Sequence, residues 1–270
     1  MDYLARESAP FSPEIWEEID QAVIETAKKH LVCRRFLSIY GPLGPGTAGV
    51  TIDDTVKAEE FIDGVATVSG RRLIELPQLY EDFVLLWRDL EESEKNGAPL
   101  DLSAARAAAQ KSACREDDLI LFGDQSLGME GLMNAQGANK ITRGDWQEGE
   151  NAFRDVAAGV AILQEKHLLG RYALALSPDL YLDLQRIQPG LGMTELKRVS
   201  KLLDGRVYPA GVFGTKRAVL VCAEPQYLDL AIGADLSVGY LELKDFNHCF
   251  RILETAALRI KNPESIVVFE

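Results

Sequence analysis

The chain has 270 residues, 47% of them hydrophobic, and a formal net charge of −13 at pH 7. A chain this long buries a core without disulfide or metal staples, while so acidic a balance disfavours nucleic-acid binding, which needs Lys and Arg to neutralise phosphates. No uninterrupted apolar run is long enough to span a bilayer, and residues 1–7 lack the basic-then-apolar order of a secretion signal.

Ser12-Pro13 opens a helix: a serine can cap free N–H groups, and proline is tolerated at the first helical position. Glu14, Glu17, Glu18 and Asp20 suit its positive end, and Lys28, Lys29, Arg34 and Arg35 its negative end. Trp16, Ile19, Val23, Ala27 and Leu31 recur at helical spacing, and Gly41-Pro42 ends the segment. Residues 50–71 carry many acids and few large apolar side chains, so they cannot build a core; Val65 to Val68 reads as a strand, and a two-stranded arm is expected there. An isolated hairpin is marginal in water, which points to a partner surface.

Residues 73–90 predict a strand followed by a short helix through Phe83, Leu86, Trp87 and Leu90. Asp101 or Ser103 caps an alanine-rich helix running to Phe122, on the order of 30 Å long, with Gly123 as its stop. Asp145-Trp146-Gln147-Glu148 reads as a capping box opening a helix over 146–168. A buried strand over 172–176, a helix from Ser177-Pro178 through Ile187, a break at 189–192, a helix over 194–203 and strands near 206–208 and 218–222 complete a mixed block. The remainder returns to β structure over 228–232, 236–241, 249–260 and 265–269. The fold class is α+β.

Chemistry-bearing patterns are sparse. His30, His167 and His248 lie far apart, without metal-ligand spacing to a second ligand. The cysteines at 33, 114, 222 and 249 form no Cys-x-x-Cys pair; buried or half-buried free thiols in a reducing cytoplasm are expected. There is no phosphate loop and no Gly-x-Ser-x-Gly elbow. Glu116-Asp117-Asp118 is the densest carboxylate cluster; neighbouring helix positions diverge, so it reads as a solvated or subunit-facing patch rather than a metal site.

Across the chain, Ala9-Pro10, Trp16, Glu18-Ile19-Asp20, Leu31, Arg34, Phe36 and Gly41-Pro42 are followed by Asp101-Leu102-Ser103, Glu116-Asp117-Asp118 and Gly131-Leu132. Then come Ser177-Pro178, Asp235 through Tyr240, Glu254-Thr255 and Asn262-Pro263-Glu264. In this order the set resembles the type I encapsulin shell proteins, the linocin-like family. The resemblance implies the tailed-phage major capsid protein fold. Residues 1–49, 72–134 and 225–270 would form a peripheral domain with a spine helix, 50–71 an extended loop, and 135–224 an axial domain.

It further implies a non-enzymatic subunit of a cytoplasmic icosahedral nanocompartment, the smallest such shell having about 60 copies. The shell would enclose a cargo enzyme through that enzyme's C-terminal targeting peptide. Ferritin-like iron oxidases and dye-decolourising peroxidases are the family's cargos, so iron storage or oxidative-stress defence is implied. Cargo-peptide candidates are Ala27, Leu31, Arg34, Ser38, Leu236 and Val238, with Arg34 offering a free guanidinium as a clamp. The matching five-fold pore loop is Ile187, Gln188, Pro189, Gly190, Leu191 and Gly192. Some relatives stack a flavin on the residue matching Trp87; here Leu79 stands where they carry an arginine, and no cofactor is expected. Two other readings remain: a tailed-phage or prophage major capsid protein, and a flavin-binding shell or enzyme using Trp87.

Overall fold

The computed structural model describes residues 3–187 and 192–270. Helix α1 (Pro13–His30) begins behind Ser12, as the sequence predicts, and buries Trp16, Ile19, Ala22, Val23 and Ala27 on one stripe. A single 3-10 turn (Cys33–Arg35) leads to β1 (Ile39–Tyr40). The arm is β2 (Gly49–Ile62) and β3 (Val65–Glu75), an antiparallel pair whose register shifts between Asp53 and Ala58. β4 (Gln78–Leu85) and α2 (Trp87–Asn96) follow, so Phe83 lies in the strand rather than in the helix. The spine α3 (Ser103–Phe122) stops at Gly123, whose φ of 67° suits glycine.

Two short strands, β5 (Gly123–Asp124) and β6 (Met129–Glu130), pair with each other, and β7 (Asn139–Ile141) joins the second lobe. Helix α4 (Asn151–Glu165) starts later than the 146–168 expectation. Asp145 Oδ1 accepts from Gln147 N–H in a tight turn, and Trp146 is fully buried with its indole N–H donating to Asp155 Oδ2 at 2.9 Å. Burial of that indole overrides the local capping pattern. Next come β8 (Tyr172–Leu176), α5 (Pro178–Asp183), α6 (Glu195–Leu202), β9 (Val207–Pro209), β10 (Ala218–Cys222), β11 (Leu228–Ile232), β12 (Ser237–Lys244), β13 (Asn247–Ile260) and β14 (Ile266–Phe269). α5 is thus shorter than the helix expected through Ile187, and the Thr194 hydroxyl accepts from Lys197 N–H to cap α6.

These strands form two five-stranded sheets. One runs β1-β11-β13-β12, with β4 also pairing β13; the other runs β7-β14-β10-β8-β9. The resemblance implies one peripheral domain over residues 225–270, whereas β14 pairs with β10 and β7 in the second sheet. Every residue of β10 is buried because both of its faces are covered. Ala218, Leu220 and Cys222 meet the helices beside Val156, Val160 and Leu163. Val219 and Val221 meet a core shared with the first sheet through Phe36, Phe213, Leu230 and Leu258. A third cluster packs α1 and α3 on the first sheet around Phe250, with Phe83 stacked on it at 5.0 Å and 8°. Among the described residues no helix is long and apolar enough to cross a membrane.

Candidate functional site

The junction where α1 ends is held by two adjacent acids of the spine. Asp117 accepts from the N–H groups of Val32 and Cys33, each at 2.8 Å, and so caps the turn that carries Arg34. Burial pushes the Asp117 carboxyl up to about 6, against the opposing pull of those two N–H groups. The neighbouring Glu116 points elsewhere and is fully buried. Its carboxylate receives Arg34 Nε at 2.9 Å and Arg34 Nη2 at 2.5 Å. Arg34 Nη2 also donates to Glu254 Oε2 at 2.8 Å, and Arg34 Nη1 to Asp235 Oδ1 at 2.7 Å.

One guanidinium therefore gathers three carboxylates, from α3, from β13 and from the connection before β12. Burial opposes its charge, but Glu116, Glu254 and Asp235 outweigh burial and raise its pKa. Glu254 is pushed well above the usual carboxylate range, first by burial and then by the charge of Glu116. Its Oε1 is buried without a hydrogen-bond partner among the described residues. Glu254 thus holds a proton more tightly than an exposed glutamate, and the charge this cluster shows to solvent is that of Asp235, whose side chain is 59% exposed.

Two expectations are corrected here. Arg34 is not a free clamp: its Nε, Nη1 and Nη2 each donate to a carboxylate inside the subunit. The cluster at 116–118 is not a solvated patch, since Glu116 and Asp117 are buried structural acids and only Asp118 is exposed. Both acids were legible as exceptions to a pattern. Glu116 falls on the buried stripe of α3 with Ala109, Ser112 and Ala113. Glu254 interrupts the alternating core-facing row Phe250, Ile252, Ala256 and Leu258.

The remaining cargo-peptide candidates separate. Ala27 and Leu31 pack with Ala113 and the half-buried Leu236 beside this cluster. Val238 is 1% exposed and belongs to the aromatic core, its carbonyl accepting from Arg6 Nε. The Ser38 hydroxyl accepts from Arg171 Nη2 at 2.8 Å, a tie to the second lobe. Of the six, Leu31, Arg34 and Leu236 come together around Asp235, whereas Val238 and Ser38 are committed elsewhere. A cleft of about 890 Å³ that sequence reasoning missed lies along the first half of α1, lined by Phe11, Trp16 and Ile24. The Arg6–Asp20 ion pair, 2.7 Å on each arm, lies beside it.

Of the pore-loop candidates, Gln188, Pro189, Gly190 and Leu191 lie outside the described residues. Ile187 is exposed and bridges to Thr194, and Gly192 has φ 63°. Trp87 starts α2, half-exposed, with the Arg88 guanidinium carbon 5.6 Å from its ring centroid. Leu79 is buried in the sheet. Cys33 and Cys222 are buried and Cys114 and Cys249 half-buried, all as free thiols.

A family model described as encapsulating protein for peroxidase matches residues 1–257. The chain belongs to the encapsulin shell-protein family. It is 36% identical to the type 1 encapsulin shell protein EncA of Myxococcus xanthus, over all of this chain and 96% of that one. It is also 36% identical to a diheme-cytochrome-encapsulin shell fusion protein of Kuenenia stuttgartiensis, over 95% of this chain and 73% of that one. Among solved structures, a virus-like particle from Pyrococcus furiosus superposes with a TM-score of 0.75 at 21% identity, covering 95% of this chain and all of that one. The capsid of Myoviridae phage XM1 gives 0.66 at 16% identity, covering 88% of this chain and 90% of that one. The encapsulin chain therefore has the capsid fold of the tailed phages, and its family role is structural: it is a shell subunit.

Proposed function

We propose that this encapsulin closes a cytoplasmic icosahedral nanocompartment, about 60 copies in the smallest form, and that it encloses a cargo enzyme held by its C-terminal peptide without itself catalysing a reaction. The observation that carries cargo capture is the half-buried Leu236, backed by the buried Leu31, beside the exposed Asp235 carboxylate. A short peptide is recognised by a few apolar anchors and one directing charge. Because Arg34 is neutralised internally, that charge is negative, and the peptide class it favours carries a basic residue. A relative in which the shell is fused to a diheme cytochrome supports a redox cargo; oxidative-stress defence or iron storage is the corresponding role. A net charge of −13 weighs against the DNA-packaging alternative that the phage likeness raises.

Purified shells treated with protease from outside, then opened and analysed by mass spectrometry, test this reading. A protected redox or iron-oxidising enzyme that is lost from Asp235→Lys shells supports it. Hollow shells with no protected protein, or protected DNA, overturn it.

A further inference from the structure

Helix α6 carries Lys197, Arg198 and Lys201 close together, in a chain whose net charge is −13. Lys197 and Lys201 stand one helical turn apart, where like charges repel and weaken a short helix. The Thr194 cap takes the Lys197 backbone N–H and leaves the ammonium group free of it. Among the described residues neither lysine makes an ion pair. Arg198 differs: its guanidinium carbon lies 4.1 Å from the centroid of the Phe153 ring, and its Nη1 is 3.0 Å from Glu150 Oε1. The nearby acid Asp204 faces Arg206 Nη1 at 3.4 Å.

These cations border a cleft of about 930 Å³ between α4 and α6. Its apolar lining is Phe153, Met193 and Leu202, the first and last half-buried and Met193 40% exposed. A cavity of this size, mostly apolar with a few charged groups at its edge, is built like a small-molecule site. Either half alone is left unsatisfied by a simple ligand. A bare phosphate would leave the apolar wall wet, and an uncharged ring would leave the two lysines facing each other. A flat ring bearing phosphates satisfies both: the ring packs on the wall, where the phenyl face and the polarizable Met193 thioether suit an aromatic partner. The phosphates meet ammonium groups, which bind them as point charges.

We propose that this cleft binds a nucleoside phosphate, the base against Phe153, Met193 and Leu202 and the phosphates on Lys197 and Lys201. Arg198 is a positioning residue, holding the Phe153 ring from its place over it. Charge selects the small ligand over a polymer. A nucleic acid would bring many phosphates to a chain of net charge −13 with only two free cations here to meet them. A mononucleotide confines its charge to the local field of the two lysines, which at physiological salt is screened beyond about 8 Å. Every residue of the site belongs to one subunit, so the proposal stands apart from the shell reading and needs no neighbouring copy.

Isothermal titration of the purified full-length protein with ATP, adenosine and inorganic pyrophosphate, in metal-free buffer, tests it. ATP is expected to bind once per chain and at least about tenfold more tightly than either fragment. Replacing Lys197 and Lys201 together by alanine should weaken ATP about tenfold or more and leave adenosine unchanged. Both lysines are exposed, so this variant keeps the wild-type melting midpoint. Phe153→Leu should weaken ATP and adenosine but not pyrophosphate, a split that a folding defect, which lowers all three, does not produce. Absence of ATP binding to the wild-type chain, ATP binding that survives loss of both lysines, or pyrophosphate binding as tightly as ATP overturns the proposal.

Discussion

Arg34 and Glu254 meet at 2.8 Å although 220 positions separate them, and their contact pins the end of the first helix to the middle of the longest core strand. Glu116, fully buried on the spine, completes the joint. Removing the cation leaves two acids in an apolar interior, so Arg34→Met is expected to cost about 3–5 kcal/mol, read from urea midpoints of the dissociated subunit. Because burial and the charge of Glu116 push the Glu254 carboxyl well above the usual carboxylate range, Glu254→Gln is expected to lie within about 1 kcal/mol of wild type. Glu116→Gln, which breaks the two-pronged contact with Arg34 Nε and Nη2, costs about 3 kcal/mol. Equal losses in the two glutamine variants would show that the proton is not held on Glu254.

The Asp117 carboxyl sets a pH dependence of definite sign. Its pKa rises from 3.8 to about 6 on folding, so the folded chain binds that proton more tightly than the unfolded chain. Stability from this group is full below the unfolded value and is lost as pH rises through the folded one. Asp117→Asn abolishes the titration and one of the two caps on Val32 and Cys33 N–H. The variant is therefore less stable than wild type at low pH, and its deficit is expected to shrink by on the order of 2 kcal/mol between about pH 4 and pH 7. A deficit that grows with pH would mean that the carboxylate, not the acid, is the favoured folded form.

Gly123 tests the stop of the spine helix. A Cβ built there comes within 2.2 Å of the Met129 carbonyl oxygen and 2.7 Å of Gly131 N, at a φ of 67°. Gly123→Ala is expected to destabilise the subunit by more than about 1 kcal/mol, measured by chemical denaturation. A neutral result would show that the β5–β6 pair can move aside.

Locally determined features were legible in the sequence. Ser12-Pro13, Gly123 and Thr194 mark helix ends through their own backbone preferences, and the apolar run 218–222 reads as a strand, although only the fold shows that both its faces are covered. What failed was set by distant partners. Nothing near Arg34 reveals that residues 116, 235 and 254 will converge on it, and nothing near Trp146 reveals that Asp155 will take its indole N–H and delay the helix to Asn151. Glu254 was visible as a charge in a core-facing strand position, but only the folded sheet shows that the spine helix lies over it. At the cargo-peptide candidates, residue type was readable and availability was not: Val238 and Ser38 have the right chemistry but are already engaged.

The arm carries the last prediction. Phe61, Ile62 and Val65 are 74%, 63% and 66% exposed at its tip, beyond the Asp53–Arg71 ion pair of 2.8 Å. A two-stranded ribbon with bare apolar ends gains little from its own subunit and needs a surface elsewhere. Replacing all three with serine should therefore leave the denaturation midpoint of the dissociated subunit within about 0.5 kcal/mol per site of wild type. The same variant should be deficient in forming shells when followed by size-exclusion chromatography and negative-stain electron microscopy. Loss of subunit stability together with assembly would place the arm in the subunit's own core; loss of assembly alone means that its tip is buried only when a neighbouring copy covers it.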